Sequence, residues 1–511
     1  MQNFAGRLLE RLGRSSCLID AASGETLTAA DVPGVLAGYA HAFNLAGLHA
    51  GERVMIGCDH HLASGMAYLG AMYGGFVPVP VHERALETWG EAIHRRSGAR
   101  ILWTAQDVAC GWTAREGLPH LRGSPAPHGR SPAAERGADD PAALMPTSGS
   151  TGAPRLVQVT HGNLTANTEA IIRSQGLAAD DRAMLILPVS YCFGASVLHT
   201  HLYQGGSVVF DSRFMFPDKV LTAISRLECT TFAGVPSVYG ILLRRSNIRT
   251  IAMPSLRRFL QAGGALAPGD VQQLRQIVPH ADFHVMYGQT EATSRIASMP
   301  PERLNDKAGS VGLPLDNLQM RIVDERGLES AACQPGEIQV CGRSVCGGYF
   351  DDPAATREKF RDGWLLTGDV GFRDAEGFLW IVGRKSEFIK VRGVRVSFAE
   401  IESRLAAHVA GAVECAVAAV PHAEAGEALA LYVVADEDRR REVAAGIRRA
   451  LPPEWICDRV NFVTMLPRNP NGKLERSRLG QLRPVEVIEW PSSATLRAIG
   501  RPKAAASDLP E

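Results

Sequence analysis

A short run of glycine and hydroxyl residues constrains the fold and chemistry of this chain more than any other stretch. We call residues 147–155 the phosphate loop; they are Thr147, Ser148, Gly149, Ser150, Thr151, Gly152, Ala153, Pro154 and Arg155. Glycines let backbone N–H groups turn toward an anion, the hydroxyls donate further hydrogen bonds, and the arginine adds positive charge. The loop is not a Walker A sequence, because no Gly-Lys-Ser/Thr follows its second glycine.

The flanking sequence separates this interpretation from the alternative, which is a flexible Ser/Gly-rich linker. Residues 156–160 continue as an alternating, β-branched segment that predicts a strand. A loop that runs directly into a strand is held at its end, so we favour phosphate binding.

Composition excludes several classes of function. The 54 basic and 54 acidic side chains cancel, so the chain lacks the electrostatic signature of a nucleic-acid-binding protein. The ten cysteines are scattered without a Cys-x-x-Cys pair, which favours reduced thiols in a cytoplasmic protein. The most apolar stretch, residues 66–81, is too short to span a bilayer and is interrupted by glycines and prolines. We therefore expect a cytoplasmic location, no membrane span and no nucleic-acid partner.

Short apolar runs that read as strands alternate with helical segments, which predicts βαβ units and a largely parallel sheet. Glycines stand at or near the ends of two such runs, at Gly234, Gly263 and Gly264. Parallel sheets bind ligands at the carboxyl ends of their strands, so these positions are candidate site residues. Residues 121–142 predict a surface linker. The predicted strands are residues 53–57, 76–81, 101–104, 183–187, 207–210, 230–236 and 258–264.

At 511 residues the chain is long for a single core, so we expect more than one domain. The pattern predicts a large α/β domain over residues 1–385, with a small β-rich subdomain that includes residues 320–345. A smaller α+β domain is predicted over residues 386–485. Residues 486–511 are polar without periodicity and predict a disordered tail.

A second motif, Tyr287-Gly288-Gln289-Thr290-Glu291, follows a predicted strand at 284–286. Mg²⁺ is usually held by one or two carboxylates together with phosphate oxygens, so a glutamate at a strand end beside a phosphate loop suits that ion. An ordinary helix cap is the alternative. A neighbouring phosphate loop makes the cap the weaker interpretation.

Three further motifs complete a pattern: Gly368-Asp369-Val370-Gly371, the basic run at 383–402, and the turn Pro467-Arg468-Asn469-Pro470-Asn471-Gly472-Lys473. Together with the phosphate loop, the following His161-Gly162-Asn163-Leu164 and the motif at 287–291, they resemble the adenylate-forming superfamily. That superfamily contains acyl-CoA synthetases, peptide-synthetase adenylation domains and luciferases. The resemblance covers roughly residues 20–480.

The resemblance implies a large AMP-binding domain, a small mobile C-terminal domain, and the use of ATP and Mg²⁺. It implies that Glu291 binds the metal, that Thr290 contacts a nucleotide phosphate, and that Lys473 contacts the α-phosphate that is attacked. These three residues form the predicted catalytic set. Ser386 falls at the hinge, where relatives carry Asp or Lys, and Lys390 and Gly393 fall in the segment that approaches the acceptor thiol. The remaining implied nucleotide-binding residues are the phosphate loop, Gly263, Gly264, Tyr287 (stacked on adenine), Gly288, Gln289, Asp369 (on the ribose) and Arg384.

The resemblance also bears on the acid. Relatives that activate amino acids carry an aspartate, which pairs with the substrate ammonium, where this chain has Gly194. A buried ammonium without a partner is costly, so we predict a fatty or aryl acid without an α-amine. The residues implied for the acid pocket are Tyr191, Phe193, Gly194, Gly234 and Ala262.

The implied reaction forms an acyl-adenylate with release of pyrophosphate and then transfers the acyl group to a thiol. Coenzyme A is the favoured acceptor, and the phosphopantetheine arm of an acyl carrier protein is the alternative. A binding protein on a decayed ligase scaffold is disfavoured because Glu291, Asp369, Arg384 and Lys473 are all present. Luciferase-type oxygenation shares every motif and is disfavoured only by its rarity.

Overall fold

The computed structural model describes residues 3–108, 110–129, 132–147, 154–391, 394–409, 412–422, 426–452, 455, 457–469 and 474–489. The chain forms two compact units, one running to Ile381 and the other beginning at Val382. The predicted boundary, after residue 385, lies a few residues further along the chain.

Strands alternate with helices through the first unit, and the last strand, β20, continues into the second. The strands are β1 (Cys17–Asp20), β2 (Thr26–Thr28), β3 (Arg53–Cys58), β4 (Val77–His82), β5 (Ile101–Thr104), β6 (His120–Arg122), β7 (Pro141–Thr147), β8 (Arg155–Thr160), β9 (Arg182–Leu185), β10 (Ser207–Phe210), β11 (Thr231–Gly234), β12 (Arg258–Gln261), β13 (Asp282–Tyr287), β14 (Ala297–Ser298), β15 (Leu313–Pro314), β16 (Leu318–Val323), β17 (Gly336–Gly342), β18 (Phe360–Arg361), β19 (Trp364–Arg373) and β20 (Leu379–Arg384).

The helices of this unit are α1 (Phe4–Arg11), α2 (Val32–Leu45), α3 (Leu62–Tyr73), α4 (Glu83–Ser97), α5 (Gly111–Arg115), α6 (His161–Gln175), α7 (Cys192–Tyr203), α8 (Pro217–Arg226), α9 (Pro236–Arg245), α10 (Pro268–Ile277) and α11 (Pro353–Lys359).

A nine-stranded sheet forms the centre of the first unit, in the order β15-β14-β13-β12-β11-β9-β10-β1-β2. The neighbouring strands from β13 to β1 in that order are parallel, and β14, β15 and β2 are antiparallel to their neighbours. Parallel strands are buried on both faces, and Phe232, Phe259 and Phe283 are accordingly almost fully buried. The predicted α/β class is confirmed.

The first unit contains three further sheets, one of which is the two-stranded sheet β7-β8. Strands β4-β3-β5-β6 form a parallel sheet, which contains the strands predicted at 53–57, 76–81 and 101–104. Strands β16, β17, β19 and β18 form an antiparallel sheet, with β20 paired to β19. This is the predicted β-rich subdomain, and it extends well beyond residue 345. The predicted linker at 121–142 begins inside β6 and ends inside β7.

Helix α6 begins at the motif that follows the phosphate loop, and the motif residues have structural partners there. The Thr160 hydroxyl accepts from the Asn163 N–H at 3.1 Å, and the Asn163 side chain accepts from the Thr160 N–H at 3.1 Å. This reciprocal cap satisfies two N–H groups at the helix start. His161 Nδ1 accepts from the Phe4 N–H. A Cβ at Gly162 would lie 2.9 Å from the carbonyl oxygen of Ala138.

The second unit is an α+β domain, as predicted. Its strands and helices are β21 (Phe388–Val391), β22 (Val394–Ser397), α12 (Phe398–His408), β23 (Ala412–His422), β24 (Gly426–Ala435), α13 (Arg440–Ala450), β25 (Cys457–Phe462) and β26 (Glu486–Glu489). The sheet order is β22-β21-β24-β25-β26, with β23 also on β24. Ile389, Ile401, Leu431 and Val460 lie in its buried core.

The prediction that the disordered tail begins at residue 486 is wrong. Residues 486–489 form β26, which pairs antiparallel with β25 in the register Val460↔Ile488. The alternation Glu-Val-Ile-Glu is too short to stand out as a strand without its partner. Residues 490–511 lie outside the described residues.

Two other expectations concern the whole chain. Within the described ranges, no helix is long and apolar enough to cross a bilayer. All ten cysteines are free, and six of them are buried.

Candidate active site

The phosphate loop connects the two strands of a hairpin. Strand β7 pairs antiparallel with β8, and the last matched pair is Thr147↔Arg155. The Thr147 hydroxyl donates to the Arg155 carbonyl oxygen at 3.4 Å. The hairpin therefore holds both ends of the loop. The predicted residues Ser148, Gly149, Ser150, Thr151 and Gly152 lie outside the described residues.

Arg155 and Glu291 meet across a tyrosine that the sequence analysis did not select. The guanidinium carbon of Arg155 lies 5.4 Å from the ring centre of Tyr349. The Tyr349 hydroxyl donates to a carboxylate oxygen of Glu291 at 2.7 Å. Tyr349 thus brings the end of the phosphate loop and the predicted metal ligand to one place. Its position in Gly347-Gly348-Tyr349 carries no periodic signal, so only the three-dimensional contacts identify it.

The turn that carries Glu291 is closely packed. Thr290–Ala292 form a single helical turn after β13, and Glu291 is 9% exposed. A Cβ at Gly288 would lie 1.8 Å from the Ser294 carbonyl oxygen, so only glycine fits there. Thr293 has φ 67°, which is strained for a β-branched residue. Strain of this kind concentrates at functional sites, and here it sets the direction of the segment beyond Glu291.

Glu291 fits the metal role implied by the resemblance. Tyr349 occupies one side of the carboxylate, and a carboxylate can accept further bonds at its other lone pairs. The described residues contain no cluster of three or more His, Cys, Asp or Glu side chains that could hold a metal ion alone. Mg²⁺ in phosphoryl-transfer sites needs only one or two carboxylates, with substrate phosphates completing its shell.

Asp369, predicted to hold the ribose, lies beside the second motif. The Tyr287 hydroxyl donates to an Asp369 carboxylate oxygen at 2.5 Å. Asp369 is 5% exposed, and its N–H donates to the Thr367 hydroxyl at 3.1 Å. The structure therefore joins β13 and β19, which are far apart in sequence, through one short hydrogen bond. Tyr287 was expected to stack on adenine, and its ring is half-buried.

Two of the predicted acid-pocket residues, Gly234 and Ala262, lie at the end of β11 and just after β12. Gly263 has φ 90°, and a Cβ there would lie 2.6 Å from the Tyr191 hydroxyl oxygen. A Cβ at Gly234 would lie 2.8 Å from a Val238 methyl carbon. Ala262 is buried, and Gly264 is exposed. Of these small residues, Gly263 makes room for the Tyr191 hydroxyl beyond the end of β12.

Gly194, predicted to be an uncharged part of the acid pocket, is closely packed against main chain. Gly194 lies in the first turn of α7, where a Cβ would be 2.3 Å from the Pro188 carbonyl oxygen and 2.9 Å from that of Leu187. A side chain at this position would meet main chain rather than open space. Glycine is therefore required here for packing, and its identity says little about the charge of the acid.

Arg295 is a second residue that the sequence analysis missed. It is 2% exposed, and its guanidinium carbon lies 4.8 Å from the ring centre of Phe193. The Asn167 side chain on α6 accepts from the main-chain N–H of Arg295 at 3.2 Å and donates to the Arg295 carbonyl oxygen at 2.9 Å. Burial lowers the pKa of Arg295 to about 10, so the side chain is still a cation at neutral pH. A single arginine in Thr293-Ser294-Arg295 gives no sign in the sequence that it is buried.

The other predicted residues lie elsewhere. Arg384 ends β20 in the second unit, and Ser386 is exposed in a short turn, Lys385–Glu387, just after it. Lys390 lies in β21. Gln289 is half-buried, and its Nε2 has no hydrogen-bond partner within the described ranges. Gly393 and Lys473 lie outside the described residues, so their roles stay predictions.

Two family models match this chain in the order of the two units. The model of the AMP-binding enzyme matches residues 9–350, and that of the AMP-binding enzyme C-terminal domain matches residues 400–473. The first match alone covers more than half of the chain. The chain belongs to the AMP-binding enzyme family. This confirms the resemblance to adenylate-forming enzymes and the division into a large and a small domain that it implied.

Similar proteins agree with this AMP-binding enzyme assignment. The chain is 32% identical over 468 residues to a feruloyl-CoA synthase of an Amycolatopsis species, covering 88% of this chain and 93% of the relative. It is 34% identical over 358 residues to the 2-succinylbenzoate–CoA ligase of Bacillus velezensis, covering 68% of this chain and 70% of the relative.

A solved structure resembles this AMP-binding enzyme over nearly its whole length. It is the O-succinylbenzoate coenzyme A synthetase of Bacillus subtilis in complex with ATP and a magnesium ion. The TM-score is 0.82 at 26% identity, with 93% of this chain and 99% of the other covered. The chain is an acid–thiol ligase of the adenylate-forming type.

Proposed function

We propose that this AMP-binding enzyme activates a fatty or aryl carboxylic acid with ATP and transfers the acyl group to coenzyme A. The observation that carries the proposal is the contact series Arg155–Tyr349–Glu291, which joins the end of the phosphate loop to the metal-ligand position. The named relatives are coenzyme A ligases, which supports that acceptor over a carrier protein. Their acids differ, being ferulate in one and 2-succinylbenzoate in the other, so the relatives do not name the acid of this chain.

In the first step a carboxylate oxygen of the acid attacks the α-phosphorus of ATP, and the bond to pyrophosphate breaks. Negative charge grows on the phosphoryl oxygens, so fixed cations and N–H donors directed at them are the main catalytic need. We assign this role to Arg155 and to the N–H groups of the phosphate loop, and Lys473 is the proposed cation at the α-phosphate. Magnesium bound at Glu291 would neutralise phosphate charge.

The second step attaches the acyl group to the thiol. The thiol sulfur attacks the acyl carbon, the acyl–oxygen bond to the phosphate breaks, and AMP leaves with the electron pair. We propose that the domain containing Gly393 rotates about Ser386 between the steps, as the family resemblance implies. The nucleotide would be held throughout by Asp369, whose carboxylate is fixed by Tyr287.

The test is pyrophosphate release from ATP across a panel of fatty, aryl and amino acids, with and without coenzyme A. We expect release with some fatty or aryl acids and acyl-CoA only when coenzyme A is present. Activity restricted to α-amino acids would contradict the proposed substrate class. Thioester formed only on a carrier protein would contradict the proposed acceptor.

A further inference from the structure

Arg295 differs from the other buried arginine of the described ranges. Arg258 is 9% exposed and is paired, because one of its guanidinium nitrogens lies 2.6 Å from an Asp181 carboxylate oxygen. Arg295 is more deeply buried, yet its guanidinium makes no hydrogen bond or ion pair with any described residue, and its Nε is enclosed without a partner. A buried charge without a partner is costly, so its retention needs a cause outside the free protein.

No described neighbour of Arg295 supplies the missing negative charge. The ionisable groups that act on it are Cys192 and Tyr191, and burial raises the pKa of both, which keeps them neutral. Arg295 also acts on His284, whose pKa is lowered to about 4 by burial together with the charges of Arg258 and Arg295. Among the residues that the structure describes, the ionisable groups that act on the cation are therefore neutral.

The position of this cation connects it with the acid pocket. Its guanidinium lies over Phe193, and its charge acts on Tyr191, both of which the sequence analysis assigned to the pocket. The strained backbone at Thr293 and the two hydrogen bonds from Asn167 to the Arg295 main chain fix the direction in which the Arg295 side chain leaves the main chain. A guanidinium pairs best with a planar anion, which it can contact through two N–H groups at once.

We propose that Arg295 is the counter-ion for a second anionic group on the acid, so the substrate class is a carboxylic acid that carries an additional carboxylate or sulfonate. This inference rests on the proposed function and narrows it. One carboxylate reacts with ATP, and the other group pairs with Arg295. The same cation repels an α-ammonium, which excludes amino acids on a ground independent of Gly194.

The test compares acids matched in carbon skeleton, one with a single carboxylate and the others with an added terminal carboxylate or sulfonate. We expect kcat/KM for pyrophosphate release to be at least about tenfold higher with one of the dianionic acids. In Arg295→Met that preference should vanish, while Arg295→Lys keeps part of it because the charge remains without the second N–H contact. Arg249→Met, an exposed arginine in the same unit, is the matched control and should keep the preference.

Two readouts separate this inference from the proposed function and from a purely structural role. Calorimetric titration of the same acids in the presence of AMP measures the preference as a difference in binding. It does so even if no acid releases pyrophosphate. Absence of pyrophosphate release would count against the proposed function alone. Chemical unfolding should show Arg295→Met to be at least as stable as the wild type, because an unpaired buried charge is removed. The inference would be overturned if the wild type bound the monocarboxylic and dianionic acids equally. It would also be overturned if Arg295→Met were destabilised and lost binding of both kinds of acid to the same extent.

Discussion

The Tyr349 hydroxyl donates a 2.7 Å hydrogen bond to the Glu291 carboxylate, while the Tyr349 ring faces the guanidinium of Arg155. Residues from β8 and from the turn after β13 thereby meet at Tyr349, which lies in the segment before α11. Hydrogen bonds to a charged group are worth about 1.5–3 kcal/mol. The tyrosine thus orients the predicted metal ligand before ATP binds.

This relationship predicts the magnesium dependence of two variants. Glu291→Gln should lose most Mg²⁺-dependent activity, and Tyr349→Phe should raise the Mg²⁺ concentration for half-maximal pyrophosphate release by about tenfold, since the orienting bond is lost. Tyr203→Phe is the matched control, because Tyr203 donates to Glu169 at 2.6 Å in another part of the unit. An unchanged Mg²⁺ titration in Glu291→Gln would remove this residue from the metal role.

The bond between Tyr287 and Asp369 predicts weaker nucleotide binding when either partner changes. Tyr287→Phe should raise the KM for ATP by about tenfold, because a hydrogen bond to a carboxylate is lost. Asp369→Asn should raise it further, since the acceptor for the ribose hydroxyls is weakened. The double variant should be less impaired than the two single losses combined. Full additivity in the double variant would show that the two residues act independently.

Lys473→Ala is expected to separate the two half-reactions. The Lys473 ammonium would stabilise negative charge that develops only when the α-phosphate is attacked. Loss of this ammonium should therefore lower kcat of adenylation. Thioester formation from a supplied acyl-adenylate should be largely retained. Rapid-quench measurement of each half-reaction decides, and an equal loss in both would contradict the two-step assignment of this lysine.

Gly194→Ala should destabilise the protein rather than change its acid preference. The added methyl would lie 2.3 Å from the Pro188 carbonyl oxygen, which forces backbone movement and costs about 1–3 kcal/mol or more. Gly269→Ala is the matched control, because it also lies in the first turn of a helix and a Cβ there meets nothing within 4 Å. The free energy of unfolding in denaturant measures both. Similar values for the two variants would contradict the packing role of Gly194.

His199 predicts part of the acid sensitivity of the fold. Its ring packs against Phe4 and Tyr68, and burial lowers its pKa to about 3. In the unfolded chain His199 takes up a proton as the pH falls below its ordinary pKa, whereas in the folded protein it stays neutral. Lowering the pH below that ordinary pKa therefore favours the unfolded state. Between about pH 7 and pH 5 the loss amounts to roughly 2 kcal/mol at most. His199→Phe should remove this part of the pH dependence, as measured by denaturant unfolding at both pH values. If the difference in unfolding free energy between the two pH values were the same in His199→Phe and the wild type, His199 would not be a source of this pH dependence.

The alternation of strands and helices was sufficient to predict the α/β class, because burial on both faces of a parallel sheet requires near-continuous apolar runs. Local patterns likewise predicted the strand that follows the phosphate loop and the strand that precedes the motif at 287–291, because apolar and β-branched runs report local backbone structure. The strand at 486–489 was missed, because four residues form a strand only when β25 pairs with them.

Contacts between distant segments were decided by the tertiary structure alone. Tyr349 and Glu291 are 58 residues apart, and Tyr287 and Asp369 are 82 residues apart, so no local pattern records either pair. The sequence determined that Gly194 has no side chain, whereas only the packing of α7 against residues 187–188 shows why. It likewise determined that residue 295 is a cation, but its burial and the lack of a partner for its guanidinium among the described residues are properties of the surroundings. A charge acquires its function from what surrounds it, and the fold supplies those surroundings.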